Sequence, residues 1–151
     1  LPEDDANRQL VNGFVLDQNL STRQIQVLEG AGGWNEVVTR FLNDHVARME
    51  IWAYRFMVLL IDFDGETERL QRVRARIPEH LTERVFILGT LTEPEALKQH
   101  RLGSYEEIGL AMARDCREGT NTIWGHDLLR HNEGELVRLR QRVRPILFPS
   151  G

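Results

Sequence analysis

The chain is poor in cysteine and lysine and has no long apolar run, and each shortage closes off a class of protein. Its single cysteine, Cys116, excludes an internal disulfide framework and any structural zinc site built on thiolates. A lone thiol also suits a reducing compartment, so a cytoplasmic protein is expected. No apolar stretch approaches the ~18 residues that a helical membrane span needs, and no membrane partner is expected. Neither a basic-then-apolar leader nor an initiator methionine is present, so the N-terminus reads as processed or truncated. Internal repeats, low-complexity stretches and Pro- or Gly-rich linkers are absent too, which points to a single domain over residues 1–151. A chain of 151 residues that is 41% hydrophobic and 28% charged can bury roughly two-thirds of its unfolded surface around one core.

Lysine is represented only by Lys98; the other 18 of the 19 basic residues are arginine. The charge is unevenly spread. Residues 1–68 carry 12 acidic residues against 5 arginines, whereas residues 69–151 carry 11 against 14 basic ones. Arginine is the better bidentate phosphate ligand, but blocks of charge also make ordinary solvated faces. The net charge of −4 does not describe a strong autonomous nucleic-acid binder.

Hydrophobic spacing outlines the elements. Leu10, Val11, Phe14 and Val15 form one helical stripe behind the acidic cap Glu3-Asp4-Asp5. Gln24 to Leu28 alternates and is β-branched, which predicts a strand, and the loop Gly30 to Gly33 leads into a second helix with Val37, Val38, Phe41, Leu42, Val46 and Met49 on one side. Phe56 to Ile61 is wholly apolar, as is Val85 to Leu88; such runs fit strands covered on both faces. Helices are predicted over 66–76, 95–100, 105–116 and 133–144. This alternation predicts an α/β fold with a mainly parallel sheet flanked by helices on both faces, over residues 1–100, and a helical C-terminal part over 101–151. In such folds a strand normally precedes the first helix, and only Leu1-Pro2 lie ahead of it here. Either that strand has been removed, or the helix packs without it.

Ligands of open parallel sheets bind beyond the C-terminal ends of the strands. On that rule Glu3, Asp4 and Asp5, the Gly30–Gly33 loop, Asp62 with Asp64, and Glu93 with Glu95 converge on one rim. Alternation along an extended chain points Asp62 and Asp64 the same way. Clustered carboxylates repel unless a hard divalent cation neutralises them, and such a cation can clamp a phosphate and activate water. Each piece also has an ordinary role: Asp4 as a helix cap, Asp-x-Asp as a turn former, and Pro94 between Glu93 and Glu95 as a helix start.

The order Glu3-Asp4-Asp5, Gly30-Ala31-Gly32-Gly33, then Val58-Leu59-Leu60-Ile61-Asp62-Phe63-Asp64-Gly65 resembles the Toprim domain of topoisomerases, primases and related nucleases. Thr92-Glu93-Pro94-Glu95 is similar to a later acidic segment of Toprim-like nucleases. The resemblance covers residues 1 to 100. It implies a Toprim/Rossmann-like three-layer architecture, Glu3 as general acid/base, Asp62 and Asp64 with Glu3 and Asp4 as ligands of Mg2+ or Mn2+, Glu93 or Glu95 at a second ion, and nucleic acid as substrate. Asp4 stands where that family usually has glycine. Gly32, Gly33, Arg69 and Arg72 are the candidates for holding phosphate, Arg69 and Arg72 sharing a helix face just past Asp64. Leu59 to Gly65 also resembles the first motif of haloacid-dehalogenase-type phosphatases. The acidic N-terminus with Asp62 is similar to a response-regulator receiver, Thr90 and Lys98 standing for its other conserved positions. A non-catalytic, partner-binding domain is the alternative from another class. His45, on the inward side of its helix, Trp34, Trp52, Trp124 and Cys116 read as packing residues, and His126 and His131 do not have the spacing of a helical metal pair.

Overall fold

The apolar runs at 56–61 and 85–88 pair with each other. In the structure, a computed structural model that describes residues 1–149, β1 (Met57–Leu60) lies parallel to β2 (Val85–Leu88), Met57 opposite Val85 and Leu60 opposite Leu88. Alternation sends their side chains to two sides. Val58, Leu60, Phe86 and Leu88 enter a cluster with Leu10, Ile108, Met112, Trp124 and Leu139, while Met57, Leu59, Val85 and Ile87 enter another with Val37, Phe41, Met49 and Val73. Both faces are therefore dry, which is why the strands carry no polar residue.

The expected mainly parallel sheet with helices on both faces is not what forms. The described residues are 55% helix and 6% strand, and the sheet they form has two strands. Two physical reasons account for its narrowness. Beyond β2, the edge is satisfied by side chains: Asn132 exchanges two hydrogen bonds with the Gly89 backbone (3.1 and 2.9 Å), and buried Glu135 accepts from the Ile87 N–H at 3.3 Å. Glu135 is itself held by Arg74 and Arg138. On the other side, the strand predicted at 24–28 is a 3-10 turn (Thr22–Gln24) followed by extended chain with no ladder. Pro2 alone bridges to Leu60, in parallel.

Helices supply the remainder. α1 (Asp5–Phe14) is capped by Asp4, whose carboxylate accepts the Asn7 N–H at 2.9 Å. α2 (Trp34–Arg40) runs through a π-helical turn, Phe41–His45, into α3 (Val46–Ile51). α4 (Arg69–Arg76) begins three residues later than its Glu66 start in the sequence pattern, because Asp64 and Gly65 adopt positive φ and turn the chain first. α5 (Pro94–Gln99), α6 (Tyr105–Glu118), α7 (Glu133–Arg142) and α8 (Arg144–Leu147) follow. α6 is capped by Ser104 and closed by Gly119 at φ 71°. Among the described residues no helix is long and apolar enough to cross a membrane.

α1 and α6 cross in backbone contact. A Cβ on Gly109 would lie 1.9 Å from the Leu10 carbonyl oxygen, and one on Gly13 would lie 2.1 Å from that of Glu106. Only hydrogen fits at either position, so this contact fixes where the N-terminal acids sit. Gly109→Ala is expected to lower stability by at least about 1–3 kcal/mol through overpacking, read by urea denaturation; an unchanged midpoint would show that the helices do not touch there.

Candidate functional site

β1 ends by delivering Asp62 to a confined position. The ladder continues past Leu60 through the Ile61 N–H to the Leu88 carbonyl (2.9 Å) and the Phe63 N–H to the Thr90 carbonyl (3.1 Å). That register sets Asp62 beside Thr90. On the opposite edge, the Glu3 N–H donates to the Leu60 carbonyl at 2.8 Å, so the chain that becomes α1 enters alongside β1. Glu3 and Asp62 meet there: the Asp62 N–H donates to Glu3 Oε2 at 2.6 Å across 59 residues of sequence.

Asn7, in the first turn of α1 and fully buried, ties the acids together. Its Nδ2 donates to Asp62 Oδ1 at 2.7 Å and to Asp4 Oδ1 at 2.9 Å. Arg69 closes the far side, donating from Nη1 to the Asp62 carbonyl and to Asp64 Oδ2, both at 2.6 Å, with its guanidinium 4.8 Å from the centre of the Trp34 ring. The glycine loop also arrives: Ala31 and Gly32 N–H groups donate to the Pro2 and Glu3 carbonyls. Gly32 has φ +101°, a conformation that suits glycine, and a Cβ on Gly30 would lie 3.2 Å from the Asp4 backbone.

The sequence-predicted residues thus divide. Glu3, Asp4, Asp62 and Asp64 gather at the end of β1, but Asp64 does not continue the alternation expected of it. Its φ of 49° breaks the extended run, and its half-exposed carboxylate is spent on Arg69. Glu93 and Glu95 are exposed at the start of α5. Their nearest link to the acidic edge is Tyr105, whose phenol is pushed up by burial and then by the negative charge of Glu95, Asp4, Glu93 and Asp62. Arg69 is buried and engaged, and Arg72 is exposed and paired with Glu66 and Glu68, so neither offers a free guanidinium. Lys98 lies over the Tyr105 ring. Asn7 and Tyr105 were not legible as site residues. A polar residue three positions after a cap is the only signal Asn7 gave, and Tyr105 reads as an ordinary core aromatic.

Electrostatics mark this edge as incomplete. Burial first, then Glu3, Asp4 and Asp64, push Asp62 up to about 7 against the restraint of the Asn7 hydrogen bond. Glu3 is also raised, chiefly by burial, although the Asp62 N–H favours its ionised form. Asn7 Oδ1, Thr90 Oγ1 and Thr92 Oγ1 are buried without a hydrogen-bond partner among the described residues. Carboxylates and an amide oxygen are the donor chemistry of a hard divalent cation. Among the described residues, however, no group of three His, Cys, Asp or Glu side chains stands ready to hold a metal ion. With Asp64 on Arg69 and Asp4 on the helix cap, Glu3 and Asp62 are the two carboxylates left for one.

The chain matches no family model, no curated protein and no solved structure.

A raised carboxyl pKa means that the folded state holds the proton more tightly than the unfolded one. Asp62 therefore favours folding fully below its unfolded value of about 4, and that contribution is lost as pH rises through about 7. Without divalent cations, stability is expected to fall across that window, and Asp62→Asn, which keeps an acceptor for Asn7, should flatten the slope. Urea denaturation at several pH values checks this; equal slopes in the two proteins would refute it.

Proposed function

We propose that the acidic edge is a Toprim-like site that binds Mg2+ or Mn2+ and acts on phosphodiester bonds of nucleic acid. The observation that carries this reading is the meeting of Glu3 and Asp62 across adjacent chain segments, with Asp62 raised to about 7 by burial among other acids. Burial and neighbouring acids disfavour the charge of both carboxyls, only partly offset at Glu3 by Arg69, and a proton or a cation relieves that cost. The order of the contributing segments is that of the resemblance: acidic N-terminus, glycine loop, apolar strand, Asp-x-Asp.

Glu3 and Asp62 would hold the ion, with Asp64 joining them if Arg69 releases it. When bound, the cation supplies charge neutralisation for a phosphate and a more acidic water. The protein's own groups do the rest. Glu3, whose affinity for a proton is raised chiefly by burial, is suited to move one. Asn7 fixes the Asp62 carboxylate, and Arg69 holds the turn at Asp62 and Asp64 against Trp34. The free, buried Cys116, its thiol pushed up to about 11 by burial, goes with a cytoplasmic setting.

The Arg69–Asp64 ion pair favours a second reading, a non-catalytic partner-binding domain in which an internal cation has replaced the metal. One experiment separates the two. Under the first, Mg2+ at one hundred times its Kd stabilises the wild type by about 2.7 kcal/mol and leaves Asp62→Asn unchanged. Glu3→Gln is then expected to lower cleavage of single-stranded or duplex nucleic acid by about 100-fold or more. Absence of any Mg2+ or Mn2+ shift in the wild-type melting temperature, together with absence of cleavage, would establish the second.

A further inference from the structure

Between β1 and the extended segment 25–29 lies a cavity of about 500 Å3, walled by Val27, Leu28, Phe56, Val58, Phe14 and Leu147 among others. One long side is β1, and the other is segment 25–29, extended at Ile25. Ile25 has φ −135° and ψ 139°, and among the described residues segment 25–29 makes no backbone hydrogen bond. Its apolar side chains are half-buried and line the cavity: Ile25 packs against one core cluster, Leu28 against the other, and Val27 between them belongs to neither. An extended, partly buried segment whose amides have no partner is the wall of an unfinished ladder.

The head of the cavity shows what fits it. Leu1 to Glu3 already pair with β1 in parallel: the Leu60 N–H donates to the Leu1 carbonyl at 3.0 Å, and the Glu3 N–H to the Leu60 carbonyl at 2.8 Å. The Ala31 N–H donates to the Pro2 carbonyl from the other side at 3.0 Å. Here the chain lies between β1 and the glycine loop, with a bond to each. The Leu1 nitrogen then donates to the Val58 carbonyl at 2.8 Å, inside the cavity.

We propose that this cavity is a slot for one extended apolar peptide strand, joined to Leu1 and running parallel to β1 between it and segment 25–29. The register is set by Pro2 opposite Leu60. At ~3.3 Å per residue, about four residues ahead of Leu1 would lie beside Arg55 to Val58. The walls are mainly apolar, with His45, Arg48 and Arg55 also on them, so the strand is mainly apolar. Its function is to anchor Glu3, adding to the bonds with Leu60, Gly32 and Asp62 that already hold that residue at the acidic edge. The inference stands apart from the proposed chemistry and does not depend on it.

The test compares two forms of the chain, one carrying about five Val and Ile residues directly ahead of Leu1 and one carrying a Gly-Ser extension of equal length. The apolar extension is expected to raise the melting temperature, to slow exchange of the amides of 25–29 at least about tenfold, and to reduce uptake of an apolar fluorescent dye. Val27→Asp should abolish that gain while changing the Gly-Ser form little. Equal melting temperatures with free exchange at 25–29 would overturn the proposal. So would undiminished dye uptake by the Val/Ile form, which would make the cavity a small-ligand pocket.

Discussion

β1 and β2 bury both of their faces, and that double burial constrains everything attached to them. Val58 and Phe86 point to one helical layer, Leu59 and Ile87 to the other, so neither strand can slip by one residue without exchanging its contents between the two. The register is therefore rigid. Whatever the chain carries immediately after Leu60 and Leu88 emerges at a fixed place, and what emerges is Asp62 on one strand and Thr90 on the other.

The acidic edge follows from a second fixed contact, the close crossing of α1 and α6. Because Gly13 and Gly109 leave no side chain between the helices, the start of α1 is held against the end of β1. Asp4 caps the helix, Asn7 reaches Asp62, and Glu3 takes the Asp62 amide. The Asp62 carboxylate is both restrained and destabilised: its hydrogen bond from Asn7 favours the ionised form, while burial and three neighbouring acids favour the proton. Arg69 pairs with the outer member, Asp64, and offsets the charge of Glu3 only in part. The inner pair is left with a proton at neutral pH, or with a cation, as the means of relieving repulsion.

Local pattern and tertiary outcome part company at segment 25–29. Its alternating, β-branched sequence describes a strand, yet a strand is a relation between two backbones and not a property of one. β2 shows the converse: its outer edge stops where Asn132 and Glu135 from the α7 region occupy the hydrogen-bonding groups that another strand would have used. Helices dominate the count because the elements around the two strands are helical wherever a periodic apolar face meets one of the two clusters.

The sequence by itself determined the buried pair of strands, their parallel direction and the main helices, since all of these depend on periodicity and chain direction. Only the tertiary structure decided which acids are buried, that Asn7 joins two of them, that Asp64 turns to Arg69, and how wide the sheet is. Those outcomes rest on partners 50 or more residues away, such as Asn7 for Asp62 and Glu135 for Arg74, or on a single backbone angle at Asp64. Spacing along a chain carries no record of either, because desolvation and hydrogen bonding depend on what else arrives in the same space.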